Sequence, residues 1–201
     1  MGATLPAGSK VASSPTTKVS AEEYLALDRA AEFRSEFLDG EKIAMSGGSM
    51  RHARLGASLS GQFYLALQGS ACEAFTSDFR VRLSPRMYTY PDVIVVCGSP
   101  MLADECQDIL VNPTVIVEVL SPSTENYDRG VKFQHYRSLD SLQDYILIAQ
   151  DQIRIEQYTR GQVDTWTLRD YQNASEALLI ESIGVSVPIA SIYERIEFPS
   201  E

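Results

Sequence analysis

The chain has 201 residues, a formal net charge of −10 and a hydrophobic fraction of 44%. These values are typical of one soluble globular domain with its own core, and no apolar run approaches the length that spans a bilayer. The acidic charge argues against a protein that binds nucleic acid over a broad basic face, whereas it is compatible with a cluster of metal-binding acids.

The first 19 residues are rich in Ser, Thr, Pro, Gly and Ala and show no apolar periodicity. We predict a disordered tail over residues 1–19 and a single domain over residues 20–201. The N-terminus lacks the apolar core of a secretory signal, and the three cysteines have no metal-type spacing. These features predict reduced thiols and a cytoplasmic location, with Cys97 as a small buried residue.

Order is predicted to begin at Ser20, which forms a capping box with Glu23 and opens a helix that runs through Ala31. Asp39-Gly40 lies between two alternating segments and predicts a hairpin. A long helix follows and ends near Gly69. Its apolar stripe consists of Leu55, Leu59, Phe63 and Leu67.

Strands dominate the middle and the end of the sequence. Residues 75–83 alternate between apolar and polar side chains and predict one strand. The runs 93–96, 115–120 and 145–149 are short, apolar and β-branched, as buried strands are. A helix is predicted after Ser123 or Thr124, a hairpin around residues 160–162, and closing strands over 178–182 and 185–192.

Two of the apolar runs carry one carboxylate each. Asp92 opens the first run after Pro91, and Glu118 lies within the second. Because burying a lone carboxylate costs several kcal/mol unless a partner or a metal offsets it, these acids together with Lys132 on the next helix predict a site.

Each candidate residue also has a plain structural interpretation. Asp92 fits a strand-opening turn, and Glu118 fits half of a structural salt bridge. Lys132 follows Asp128 by four residues, which is the spacing of a surface ion pair. His52 fits a polar residue at a helix start, and Glu36 fits a solvent-facing charge on a hairpin.

Other chemistries fit the sequence less well. It contains no Gly-rich phosphate loop and no Gly-x-Ser-x-Gly elbow. Ser121 or Ser123 with His135 could form a nucleophile and base, but Ser at a strand-to-helix turn is more typical of a helix cap. Two histidines and scattered cysteines do not predict a zinc site.

The pattern resembles the PD-(D/E)-x-K nuclease superfamily, and more closely a large bacterial family of uncharacterised restriction-endonuclease-like proteins. The match covers residues 20–192. It rests on Glu36-Phe37-Leu38-Asp39-Gly40, His52, Pro91-Asp92-Val93, Glu118-Val119-Leu120-Ser121-Pro122-Ser123-Thr124, Asp128, Lys132 and Asp144-Tyr145-Ile146-Leu147. The superfamily places its lysine two residues after the glutamate, where this chain has Leu120, and the resemblance to the closer family implies that Lys132 on the following helix takes the place of that lysine.

The resemblance implies an α/β (α+β) fold, in which helices flank a restriction-endonuclease-like mixed sheet, with an added N-terminal helix and hairpin and added C-terminal strands. It implies Mg²⁺ or Mn²⁺ held by Asp92 and Glu118, with Val119 as a further ligand. Glu36, His52 and Lys132 complete the implied catalytic set.

The leading hypothesis is therefore a metal-dependent DNA endonuclease that acts as a homodimer. The dimer follows from the resemblance and from the apolar segment 185–192. The alternative is a binding or assembly module that keeps the fold without chemistry. A local basic rim that would attract DNA is predicted from Arg51, Arg54, Arg80, Arg82, Arg86 and Arg129.

Overall fold

The protein is described by a computed structural model over residues 18–45, 47–163 and 165–198. Most of the predicted tail, residues 1–17, lies outside this range. Val19 does not belong to a free tail, because its backbone N–H donates to the Gly40 carbonyl at 2.9 Å. Within the described ranges no helix is both long and apolar enough to cross a membrane.

The helical elements are α1 (Ala21–Ala30), α2 (Met50–Ala66), α3 (Glu125–Tyr127), a π-helical turn (Asp128–Lys132), α4 (Phe133–Tyr136), a 3₁₀ turn (Glu181–Ile183) and α5 (Ile189–Ile192). The first strands are β1 (Ser35–Leu38), β2 (Glu41–Ala44), β3 (Cys72–Thr76), β4 (Arg80–Ser84), β5 (Met87–Thr89), β6 (Val93–Cys97) and β7 (Ile109–Leu110). The remaining strands are β8 (Val115–Val119), β9 (Asp144–Ile148), β10 (Ile155–Arg160), β11 (Trp166–Tyr171), β12 (Ala177–Ile180) and β13 (Val185–Pro188).

The largest sheet has six strands in the order β11-β10-β9-β8-β6-β3. β8 and β9 are parallel, and the helical segment from α3 to α4 forms the crossover between them. The other neighbours in this sheet pair antiparallel. A second sheet, β2-β1-β5-β4-β7, and the hairpin β12-β13 complete the strands, so the predicted α+β class with mixed sheets and flanking helices is confirmed.

Alternation along β8 assigns its side chains to two cores. Val115, Val117 and Val119 pack on the side of α2, β12, β13 and α5. Ile116 and Leu120 pack on the opposite side, against the second sheet and α4. Glu118 has the same parity as this second pair, and its side chain therefore lies on the side from which the crossover helix approaches.

Several local predictions are confirmed. Ser20 and Glu23 form both hydrogen bonds of the capping box, at 3.1 and 2.8 Å. Asp39 and Gly40 adopt the positive φ values, 51° and 95°, that a tight hairpin requires. All four apolar stripe residues of α2 and its C-cap are buried.

The prediction of one strand over residues 75–83 is wrong. The chain turns at Ser77-Asp78, where Phe79 N–H donates to the Thr76 carbonyl at 3.1 Å, and β3 and β4 join different sheets. Polar turn residues interrupt the extended chain without disturbing the alternation of apolar side chains, which is why the pattern reads as one strand.

The prediction of reduced thiols is also wrong for two of the three cysteines. Cys72, the first residue of β3, is paired in register with Cys97, the last residue of β6, and the two form a disulfide. Cys106 is free and exposed. Cys97 is half-buried rather than fully buried.

Candidate active site

The candidate residues converge on one cavity of about 310 Å³, here called the acidic cavity. Its acidic and basic lining residues are Glu36, His52, Asp92, Glu118, Asp128 and Lys132. Every residue that the sequence singled out as catalytic or metal-binding lines this space, including Val119.

Five separate segments of the chain deliver these side chains. Glu36 comes from β1 in the second sheet, and Glu118 from β8 in the central sheet. Asp92 directly precedes β6, the antiparallel neighbour of β8. His52 lies in the first turn of α2, and Lys132 ends the π-helical turn. A π-helical turn inside a helix is common at functional sites.

The Asp92 carboxylate is held at the edge of β8. Its Oδ2 accepts a hydrogen bond from the Val119 backbone N–H at 2.7 Å and lies 3.5 Å from Nε2 of His52. Burial raises the pKa of Asp92, although the nearby His52 and the Val119 N–H act in the opposite direction. Val119 therefore positions Asp92 through its backbone.

Lys132 is the electrostatic centre of the cavity. Its Nζ lies 2.9 Å from Oε1 of both Glu36 and Glu118, and 3.5 Å from Oδ1 of Asp128. Burial alone would lower the pKa of Lys132, but the glutamates outweigh it and the pKa lies well above its ordinary value, so the ammonium is retained. The interpretation of Lys132 and Asp128 as a surface ion pair is wrong, because their exposed fractions are 5% and 3%.

Glu118 is 4% exposed, and burial raises its pKa well above 4.5. The negative charges of Asp128, Asp92 and Glu36 raise this pKa further, whereas the positive charge of Lys132 lowers it. The interpretation of Glu118 as half of a salt bridge therefore describes one of its contacts but not the excess of acids around it. Glu36, at 7% exposed, is not a solvent-facing charge.

Tyr136 is a site residue that the sequence analysis missed. Its hydroxyl lies 3.0 Å from Oε1 of Glu118 and 3.0 Å from the Thr89 hydroxyl, which can donate to it while it donates to Glu118. The available signal was its position four residues after Lys132, on the same side of the helix. Asp128 also lines the cavity, whereas the sequence pattern named it as a partner of Lys132 and as one residue of the resemblance, without a role in the site.

The side chains of the acidic cavity supply only part of the ligands that a hard divalent cation needs. Among the described residues, no three His, Cys, Asp or Glu side chains are grouped closely enough to hold a metal ion. Four carboxylates nevertheless line the cavity against one lysine, and the short contacts to Asp92 and Glu118 end on a single oxygen of each. This donor set suits Mg²⁺, which is commonly bound by one or two carboxylates together with water and substrate phosphate.

The predicted basic rim is only partly formed. Arg80 is buried and pairs with Asp28 at 2.9 Å and with Asp108 at 3.1 Å, so it fastens α1 to the second sheet. Arg86 pairs with Asp39 at 2.7 Å. The rim prediction is therefore wrong for Arg80, because this side chain is buried and paired with carboxylates. The sequence pattern did not indicate this pairing, since the acidic partners are distant in the chain.

The alternative with a serine nucleophile gains no geometric support. The Ser121 hydroxyl is 3.0 Å from that of Ser123 and 2.9 Å from that of Thr124, and it accepts the Thr124 N–H at 3.2 Å. Within the described part of the chain neither serine contacts His135. These hydroxyls close the turn that opens α3.

Two curated proteins are similar in sequence to this chain. A protein named "Uncharacterized protein slr1290" from Synechocystis sp. (strain PCC 6803) is 38% identical over 187 residues, which cover 92% of this chain and 97% of the relative. A second protein of that strain, "Uncharacterized protein sll1609", is 38% identical over 157 residues, or 77% of this chain and 89% of its own length.

A solved structure shares the fold. A protein from Anabaena variabilis ATCC 29413, described as "a putative nuclease belonging to DUF820", matches with a TM-score of 0.74 at 18% identity. The match covers 89% of this chain and 99% of that one. Residues 21–190 match the model of the Uma2 family, described as "Putative restriction endonuclease". The resemblance seen in the sequence is thus confirmed, and the chain belongs to the Uma2 family.

Proposed function

We propose that the protein is a metal-dependent phosphodiesterase that cleaves DNA at the acidic cavity. The observation that carries the proposal is the convergence of Asp92 and Glu118, from neighbouring strands, with the buried ammonium of Lys132 in one cavity. Membership of the Uma2 family agrees with nuclease chemistry at the level of the family description.

In this proposal Asp92 and Glu118 hold one Mg²⁺ or Mn²⁺, and the Val119 carbonyl is the further candidate ligand. The bound ion would lower the pKa of a water molecule and neutralise charge on the phosphate. The excess of carboxylates over lysine supports this assignment, because a cation relieves their mutual repulsion.

Lys132 and His52 have separate roles in the proposal. The retained ammonium of Lys132 stabilises negative charge that develops on the phosphate, and Glu36 and Asp128 fix its position. His52 orients Asp92, since its Nε2 lies 3.5 Å from the same oxygen that receives the Val119 N–H.

The proposal is tested by incubating the purified protein with supercoiled, linear and single-stranded DNA in Mg²⁺ or Mn²⁺. We expect cleavage by the wild type and a loss of about 10²-fold or more for Asp92→Asn, the scale of removing one electrostatic catalytic group. Glu41→Gln is the matched control, because Glu41 is exposed and lies outside the cavity. No cleavage of any DNA form by a folded wild type would refute the proposal.

A second candidate is a binding module without chemistry. The observation that favours it is the closed ion-pair network in which the ammonium of Lys132 already satisfies Glu36 and Glu118. DNA binding without cleavage, equal in the wild type and Asp92→Asn, would select this candidate.

We further propose that the protein forms a homodimer, since a duplex presents two strands for cleavage. We also propose that it acts in the cytoplasm, where bacterial DNA is held. Light scattering tests the first point at micromolar concentration. A monomeric mass would contradict it.

A further inference from the structure

A second cavity, of about 240 Å³, adjoins the acidic cavity. The two share four lining residues, which are Ser49, Ser121, Pro122 and Gln150. Two of these shared residues are bonded across the wall, because the Ser49 hydroxyl lies 2.5 Å from Oε1 of Gln150. The two cavities are therefore neighbours that share this wall.

The two cavities differ in the charged side chains that line them. Four carboxylates and one lysine line the acidic cavity, whereas Arg51, Arg129 and Arg154 line the second against Glu125 and Asp151. We call the second space the arginine cavity. On a chain with a net charge of −10, three arginines grouped next to the candidate active site are a local concentration of cations.

Two of these arginines are fixed in place. Arg129 contacts Glu125 at 3.0 Å and also Glu156, and Arg154 contacts Glu156 at 2.8 Å and Asp170 at 3.2 Å. Because Glu156 is buried and shared, it holds both guanidinium groups near one point, and Glu125 and Asp170 complete their ion pairs.

Arg51 differs from both. Its Nε donates to the Glu197 backbone carbonyl at 2.8 Å, and no carboxylate of a described residue lies within ion-pair distance of it. The helix that carries it, α2, contains no acidic residue. Its charge is therefore available to an anion in the arginine cavity.

We propose that the arginine cavity is a backbone-phosphate subsite, which binds a phosphate of the same nucleic-acid strand whose scissile phosphate enters the acidic cavity. Arginine suits this task because its planar group donates two parallel hydrogen bonds to a phosphate. The subsite rests on the proposed function and adds to it how an acidic protein holds a polyanion: the strand runs from the carboxylates to the arginines across the wall of Ser49 and Gln150.

The test is the salt dependence of binding to a fluorescein-labelled single-stranded DNA oligonucleotide, measured by anisotropy with Ca²⁺ in place of Mg²⁺. Each phosphate contact contributes about 0.7 to the slope of log K against log salt concentration for a single strand. We expect Arg51→Ala to lower the magnitude of this slope by about 0.7. The ratio of the wild-type to the variant binding constant should therefore be about fivefold larger at 0.1 M salt than at 1 M salt. Arg51→Lys, which keeps the charge, should retain the wild-type slope.

Arg169→Ala is the matched control, because Arg169 is an exposed arginine on β11 that lines neither cavity, and its slope should equal that of the wild type. Equal slopes for Arg51→Ala and the wild type, or equal losses in Arg51→Ala and Arg169→Ala, would overturn the subsite while DNA cleavage by the wild type upholds the proposed function. A wild type that does not bind the oligonucleotide and cleaves no form of DNA would overturn both.

Discussion

Replacing Glu118 by Gln removes one charge from the acidic cavity and keeps the shape of the side chain. The amide oxygen can still accept a hydrogen bond from the Tyr136 hydroxyl. Lys132 remains paired with Glu36 at 2.9 Å and with Asp128 at 3.5 Å. Because no cation is left without a partner, we expect a change of at most about 1 kcal/mol without metal, rather than the 3–5 kcal/mol that breaking an isolated buried pair costs.

The response to metal should differ much more. A cation that binds only the folded state stabilises it by about 2.7 kcal/mol at a hundredfold excess over its dissociation constant. For a chain of this length that energy corresponds to a rise in Tm of roughly 5–11 °C. We expect this rise for the wild type in Mn²⁺ or Mg²⁺ and little of it for Glu118→Gln.

The assay is a set of thermal melts of both proteins with and without the cation. Glu41→Gln, the exposed matched variant, should respond to metal as the wild type does. Two results together would contradict this prediction: Glu118→Gln loses several kcal/mol of stability in the absence of metal, and the Tm of the wild type does not change when metal is added. That outcome would make Glu118 a purely structural partner of Lys132.

Three further predictions concern pH, hydrogen bonding and thiols. The pKa of Glu118 in the folded protein lies above 4.5, so the unfolded chain loses this proton first as pH rises. The stability of the wild type relative to Glu118→Gln should therefore fall as pH rises from 4.5 through the folded pKa. Metal-free denaturant titrations measure this difference in stability, and a difference that rises with pH would contradict the prediction. Tyr136→Phe should cost about 1–2 kcal/mol in denaturant and weaken Mn²⁺ binding by roughly tenfold in calorimetric titrations, whereas unchanged affinity would remove its positioning role. Thiol titration of the unfolded, unreduced chain should detect only Cys106, and three thiols after reduction; three from the start would exclude the bond between Cys72 and Cys97.

Local patterns in the sequence predicted most of the elements, because their causes are local. The capping box at Ser20, the turn at Asp39-Gly40 and the four-residue stripe of α2 each depend on residues within a few positions of one another. The acids of the site were found for a similar reason, since Glu118 interrupts an otherwise apolar strand.

The features that the sequence did not predict depend on partners distant in the chain. Alternation cannot show that β3 and β4 belong to different sheets, because both strands alternate in the same way. The burial of Arg80 follows from Asp28, which is 52 residues away. The pairing of Cys72 with Cys97 follows from the register of β3 on β6, which single-strand patterns do not encode.

The same limit applied to the site. Asp92, Glu118 and Lys132 could be named individually, but the sequence could not show that Lys132 pairs with Glu36 from the other sheet. It also could not show that Tyr136 reaches Glu118, since this depends on how the crossover helix packs on β8.

The most direct test of the account is the position of Mn²⁺, located by its anomalous scattering in a crystal of the protein with a DNA oligonucleotide. We predict one ion about 2.0–2.2 Å from an oxygen of Asp92 and an oxygen of Glu118, with a phosphate oxygen completing its coordination beside Nζ of Lys132. An ion bound elsewhere, or DNA bound away from a cavity in which Lys132 still pairs with both glutamates, would contradict it.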